Sequence, residues 1–317
     1  MIPGLTDQAL LAWAGTRRLS ALALRGKELA AKPLVPASTA LALFVAGVSV
    51  PRAQVERMLG ARIVDLLVER DVLELGDMVR AKVAILPVVN AVIVCDRWDA
   101  ADAPERLPWP DDSSYHLVSS LTADRRKHWI DLATGNAFGP LVRPDIADRT
   151  TGVDLSARAI RYARLGASLS NRVLEVREGD VATPLGTTAQ LVTCNAPIVD
   201  DPDQAIWRRA DKGFFARLWQ AARACVAPGG DVVVHATLDA LPMDRTVVTD
   251  ELPGEVAIVV YTPPGVRAYG VMWWRPDAEP RRVVGYRELT QARPHLDPRD
   301  RADVLAGALA PLHAAQV

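Results

Sequence analysis

The spacing of apolar and polar residues changes character twice along this chain. Between residues 5 and 31, Leu10, Leu11, Trp13, Leu19, Leu22 and Leu24 recur near helical spacing, with Arg17, Arg18, Lys27 and Glu28 elsewhere, which predicts a helix. Lys32-Pro-Leu-Val-Pro36 ends that run. Ser38 then stands as an N-cap before Leu41–Ala46. Pro51 opens a helix over Arg52 to Leu59, Gly60 stops it, and Arg62–Asp71 makes a third. Residues 72–86 alternate as a strand, a turn at Gly76-Asp77 and a second strand, and a further apolar run covers Val88–Cys95. Three short helices followed by a β-ribbon outline a winged helix.

Residues 99–112 hold three prolines and five acidic residues, the strongest boundary signal in the chain. Two domains are expected: 1–110, helical and winged-helix-like, and 111–317. Beyond the boundary the pattern becomes βαβ. Helices are predicted at Ser113–Thr122, Ala157–Leu169 and Phe214–Val226. Strands are predicted at Trp129–Ala133, Thr151–Asp154, Val173–Val176, Leu191–Cys194, Asp231–Ala236, Val256–Tyr261 and Val271–Trp274. The basic run Arg125-Arg-Lys-His128 reads as a solvated helix end. The fold class is α/β, with a Rossmann-like seven-stranded sheet.

Composition narrows this further. Half of the 317 residues are hydrophobic and 24% are charged, so a packed core is expected. A net charge of −1 argues against a general polyanion binder, and acidic and basic residues balance across 38–86, so nucleic acid is not the expected partner. Cys95, Cys194 and Cys225 are too widely spaced for a disulfide framework or a zinc site, and buried free thiols are expected, with no metal. The N-terminus does not read as a secretory leader and no apolar run is long enough to span a membrane. A cytoplasmic protein is expected.

Four polar signals fall in order at the ends of successive predicted strands: Asp131 to Gly139, Asp154, Asp180, and Asn195-Ala-Pro-Ile198. In an open α/β sheet ligands sit beyond the carboxyl ends of the strands, near the point where strand order reverses. A nicotinamide dehydrogenase fits poorly, because Gly135-x-x-x-Gly139 has the wrong spacing for pyrophosphate and Pro140 and Pro144 follow closely.

With those residues the chain, over roughly 113–236, resembles class I S-adenosylmethionine-dependent methyltransferases. Asp131-Leu-Ala-Thr-Gly-Asn-Ala137 matches the acidic residue and Gly-x-Gly-x-Gly-like turn of that family, with Gly135 kept and Ala133 and Ala137 where glycines are usual. The resemblance implies S-adenosylmethionine as cofactor. Asp131 and the turn at Ala133, Gly135 and Asn136 would hold its methionine part. Asp154 with Leu155 would take the ribose hydroxyls, and Asp180 with Val181 the adenine. Val192-Thr-Cys-Asn-Ala-Pro-Ile198 resembles the Asn-Pro-Pro-Tyr motif of methyltransferases acting on planar nitrogens. There Asn195 and Pro197 would orient the reacting group by accepting its hydrogen bonds, with Asn195 also bordering the cofactor and Ile198 standing where the stacking aromatic is usual. Tyr115, His116 and Arg125 lie where a lid would sit, which makes Tyr115 a substrate-binding candidate. His235 is a candidate base, weighed against a buried core histidine.

The expected activity is methyl transfer to nitrogen or oxygen of a small molecule, an amino acid or specialised metabolite. Three alternatives stand beside it: the release-factor type of protein glutamine methylation, cyclisation of the cofactor, and a DNA-binding regulator with a vestigial cofactor domain. In plant-type small-molecule O-methyltransferases a winged domain dimerises and closes over substrate, which implies the same for residues 1–110.

Overall fold

A computed structural model describes residues 2–14, 38–88, 90–122, 124–182, 185–199, 209–237, 241, 252–262 and 269–288. Of the predicted helix over 5–31, α1 spans Asp7–Ala14, Leu5 and Thr6 precede it outside the helix, and residues 15–31 lie outside the described residues. Next come α2 (Thr39–Phe44), β1 (Val50–Pro51), α3 (Arg52–Leu59), α4 (Ala61–Glu69), β2 (Leu73–Glu74) and β3 (Met78–Ala81). Ser38 caps α2 through its hydroxyl, which accepts from the Leu41 amide at 3.4 Å. Gly60 ends α3 and starts α4 at φ +83°, a left-handed value that glycine adopts without a Cβ penalty. The three short strands form an antiparallel sheet in the order β1-β3-β2, with the expected turn at Gly76-Asp77.

The second strand expected to run through Leu86 breaks at Lys82, and its latter part pairs with the apolar run that follows. β4 (Val83–Val88) and β5 (Ala91–Asp96) pair antiparallel as their own hairpin, and nearly every side chain in them is buried. Burial on both faces removes the alternation by which a strand is recognised.

The main sheet comprises β6 (Arg126–Leu132), β7 (Ala147–Asp154), β8 (Glu175–Glu178), β9 (Ala189–Asn195), β12 (Val226–Thr237), β13 (Glu255–Thr262), β14 (Tyr269–Arg275) and β15 (Arg281–Glu288). Its order is β15-β13-β14-β12-β9-β6-β7-β8. This is eight strands rather than the expected seven, because β15 adds to the edge parallel to β13. β14 is antiparallel to both neighbours, and the remaining pairs are parallel. Two short strands, β10 (Ile198–Val199) and β11 (Arg209–Ala210), pair beside it. The chain runs outward from β6 to β8, then returns to β9 on the other side of β6, so strand order reverses between β6 and β9.

Helices α5 (Asp112–Ser119), α6 (Phe138–Val142), α7 (Ala157–Leu169) and α8 (Phe214–Cys225) cover the sheet. Strand alternation assigns the faces. Val232, Val234 and Ala236 share a core with Leu218 and Ala222 of α8. Val233 points the other way, with Trp129, Leu191 and Val271, against Leu117 of α5 and Leu121. α7 packs Ala159, Ile160, Tyr162 and Ala163 into the same core as Val83, Ile85, Ile93 and Cys95 of the β4–β5 hairpin.

The proline-rich stretch after β5 is pinned at its end. The buried Asp96 carboxylate accepts from the Leu107 amide at 2.8 Å, the Tyr162 hydroxyl at 2.7 Å and the Arg158 guanidinium at 3.1 Å. The Trp109 indole donates to the Asp96 carbonyl at 3.1 Å. The basic run, expected as a solvated helix end, instead opens β6. Arg126 and Arg275 both pair with the buried Asp231, at 2.7 and 2.8 Å. His128 is buried between the Thr188 carbonyl at 2.9 Å and the Thr151 hydroxyl at 3.0 Å.

All three cysteines are free and buried, as expected. Burial pushes their thiols up, so they resist ionisation. Among the described residues no helix is long and apolar enough to cross a membrane, and no cluster of His, Cys, Asp and Glu could hold a metal.

Candidate active site

The four polar signals stand at the carboxyl ends of four adjacent strands, β8, β7, β6 and β9, on both sides of the reversal. Asp131 is the penultimate residue of β6 and is buried. Its Oδ2 accepts from the Thr134 hydroxyl at 2.6 Å, and its Oδ1 accepts from the Thr193 hydroxyl of β9. Thr193 in turn accepts from the Trp129 indole at 2.7 Å. Burial raises the Asp131 carboxyl to about 6, the two hydroxyls pull it back, and the nearby Asp154 adds to the rise.

The turn after β6 carries two residues atypical of the resembled motif. Ala133, Gly135 and Ala137 all have left-handed backbones, at φ +51°, +56° and +57°. These are the three positions where the resembled motif carries glycine. An L-residue there costs about 1–2 kcal/mol, so the surrounding bonds must hold the turn. They do so from β7. The Thr134 amide donates to the Val153 carbonyl at 2.9 Å, and the Gly135 amide donates to Asp154 Oδ2 at 2.8 Å. Gly152 makes room for this, since a Cβ there would lie 2.8 Å from Thr134 Cγ2.

Asp154 ends β7. Its Oδ1 accepts from the Ser156 amide at 2.9 Å, opposite the bond from Gly135. Each oxygen thus keeps acceptor capacity for a ligand hydroxyl. Burial raises this carboxyl above its ordinary range, while the two amides lower it. Among the described residues, a Cβ on Gly135 would approach only Leu107 Cδ2, at 3.8 Å, an ordinary contact distance. A carboxylate with spare lone pairs beside a backbone turn fits a ribosyl cofactor.

Leu155 is 71% exposed beside Asp154, and Asn136 is buried in the turn. After β8, Asp180 Oδ1 accepts from the Ala182 amide at 2.8 Å and lies 3.6 Å from Arg217, while Val181 joins the core of α8. Tyr115 is buried with its ring edge on Phe138 at 4.8 Å between centroids.

Asn195 ends β9, with Ala196 and Pro197 behind it and Ile198 buried in β10. Its Nδ2 donates to Ser113 Oγ at 2.9 Å and reaches Ser114 Oγ at 3.4 Å. Ser113 Oγ donates its own proton to Asp111 Oδ1 at 2.5 Å. The direction of that chain is fixed, because Asp111 can only accept. The amide nitrogen of Asn195 is therefore held against α5, and its Oδ1 is left to accept from a ligand. Thr134, Thr193, Ser113 and Asp111 were not singled out from the sequence. Only Thr134 carried a local signal, its place inside the turn.

Residues 109–259 match the family model described as Methyltransferase small domain. None of the curated proteins matches the chain. Among solved structures, a protein of Listeria monocytogenes assigned to the class I S-adenosylmethionine-dependent methyltransferases is similar at 16% identity, covering 65% of this chain and 73% of that one, with a TM-score of 0.44. A protein of Agrobacterium tumefaciens assigned as an O-methyltransferase is similar at 18% identity, covering 60% and 96%, with a TM-score of 0.42. The ribosomal protein L11 methylase of Lactobacillus delbrueckii subsp. bulgaricus is similar at 12% identity, covering 51% and 77%, with a TM-score of 0.39.

Proposed function

Starting from an S-adenosylmethionine-dependent methyltransferase, we propose that this enzyme methylates a nitrogen or oxygen of a small molecule at Asn195. The observation that carries the reading is the single bonded unit made by Asp131, Thr134, Gly135 and Asp154 beside the oriented Asn195 amide. S-adenosylmethionine, when bound, supplies an electrophilic methyl group. Asp154 takes the ribose hydroxyls, with Leu155 beside it. Asp131 and the turn from Ala133 to Asn136 hold the methionine part, and Asp180 with Val181 borders the adenine.

On the acceptor side, Asn195 Oδ1 and the Pro197 carbonyl accept hydrogen bonds from the reacting group, and Ile198 closes the wall. Positioning of this kind supplies much of the rate in a direct displacement. The motif lacks its stacking ring, which disfavours a nucleobase. Residues 1–110 act as a winged-helix-like unit that covers substrate or pairs two copies of the chain, and residues 111–317 as the catalytic unit. Titration calorimetry with S-adenosylmethionine tests the reading: a saturable heat is expected, and its absence would sink the proposal.

A further inference from the structure

Three rings stand in a row beside Asn195 and have no part in the cofactor cradle. His235 lies on β12 in register with Asn195 of β9, so both side chains leave the sheet on the same face. That face carries α5, which supplies the Ser113 bonded to Asn195 and also His116. The His116 and His235 rings are near parallel, at 11° with centroids 6.4 Å apart. Tyr269, at the start of β14, lies over the other side of His235 at 17° and 5.6 Å. Both histidines are buried and Tyr269 is half-buried. Among the described residues, His116 from α5 and Tyr269 from β14 flank the His235 ring, and the uncharged Asn195 stands in register with it on β9.

We infer that His235 takes a proton from the acceptor, and that the acceptor is a primary amine. The inference rests on the methyltransferase reading above. An amine bound as its ammonium has hydrogens for two partners, so it can donate one to Asn195 Oδ1 and surrender another to the imidazole. A hydroxyl has one hydrogen and cannot do both, and a neutral amide needs no base before the transfer. The proton passes from R–NH₃⁺ to an imidazole nitrogen of His235. The freed nitrogen lone pair then forms the bond to the methyl carbon as the carbon–sulfur bond breaks with its pair on sulfur, giving R–NH₂–CH₃⁺ and the thioether. The imidazolium later returns its proton to water. Tyr269 and His116 hold the plane of the His235 ring.

The test uses benzylamine, benzyl alcohol and benzamide as probes on one scaffold, with S-adenosylhomocysteine release as readout. Turnover of benzylamine is expected, falling at low pH as the histidine is protonated. His235→Gln should lower turnover by about 100-fold or more, remove that acid limb and leave S-adenosylmethionine affinity unchanged. In protein carrying S-adenosylhomocysteine, proton–nitrogen NMR should show the His235 ring gaining a second proton when benzylamine is added. His116→Gln, which keeps His235, should weaken turnover about 10-fold and covers the case in which His235→Gln does not fold. Transfer to benzamide or benzyl alcohol alone, transfer to none of the probes, or a His235 ring unmoved by benzylamine overturns the inference. Failure to bind S-adenosylmethionine overturns the methyltransferase reading instead.

Discussion

The two sides of the strand reversal are built on different plans. On the β6–β8 side the site is mostly backbone: a left-handed turn whose amides are tied to the tip of β7. On the β9–β12–β14 side it is mostly side chains, brought together from α5 and three strands. A backbone plan tolerates changes of residue type, and Ala133 and Ala137 take left-handed values at positions where glycine is usual. A side-chain plan changes its chemistry with each substitution.

Single substitutions on each side sharpen the contrast. The largest effect is expected at Asp154→Ala, which removes the proposed ribose acceptor, its tie to the Gly135 amide of the turn and its bond from the Ser156 amide. S-adenosylmethionine affinity should fall about 100-fold, counting two charge-assisted bonds at roughly 1.5 kcal/mol each. Asn195→Ala should instead cut turnover and leave calorimetric affinity nearly unchanged. Equal losses in both would erase the distinction between the two sides.

Thr193→Val comes next. It strands Asp131 Oδ1 and the Trp129 indole at once, and about 2 kcal/mol of stability should be lost on urea unfolding. A loss below about 0.5 kcal/mol would mean that Asp131 is satisfied without β9.

Asp131 gives a smaller signature in pH. Its folded-state value of about 6 lies above the ordinary 3.8, so the folded protein holds more protons between those limits. Stability contributed by this group is present below 3.8 and is lost as pH rises toward about 6. The slope is at most about 1.4 kcal/mol per pH unit. The raised Asp154 acts in the same direction. Unfolding midpoints across this window should flatten in Asp131→Asn, and an unchanged slope would assign the effect elsewhere.

The smallest effect is a gain. Ala133→Gly should relieve the left-handed strain and add up to about 1 kcal/mol of stability. Ala137→Gly should give less, because Ala137 is fully buried and its methyl fills space. A loss at Ala133 would show that its methyl packs usefully.

What could be read from the sequence follows the same division. The strand-end carboxylates Asp131 and Asp154 announced themselves, since a polar residue closing an apolar run is a local pattern. Thr193 did not, because its bond to Asp131 joins residues 62 apart along the chain, and the Asn195–Ser113 bond spans 82. Periodicity carries no information at that range. The Asn195 loop was visible as a motif, whereas the Asp111–Ser113 chain that orients it was not. β15 escaped for a different reason: Arg281-Arg-Val-Val-Gly-Tyr-Arg-Glu288 has little apolar alternation to mark a strand.

The Asp96 junction carries a consequence for hydrogen exchange. The segment from Asp99 to Asp112 has the composition of a freely moving tether, yet the Leu107 amide ends on a buried carboxylate, and the Asp96 amide ends on the Leu107 carbonyl. Those two amides should exchange with solvent as slowly as the interior of β5, because they bond each other's residue reciprocally and the Asp96 carboxylate is held in place by Arg158 and Tyr162. A stretch that composition marks as a joint between two bodies would then show the protection of a weld.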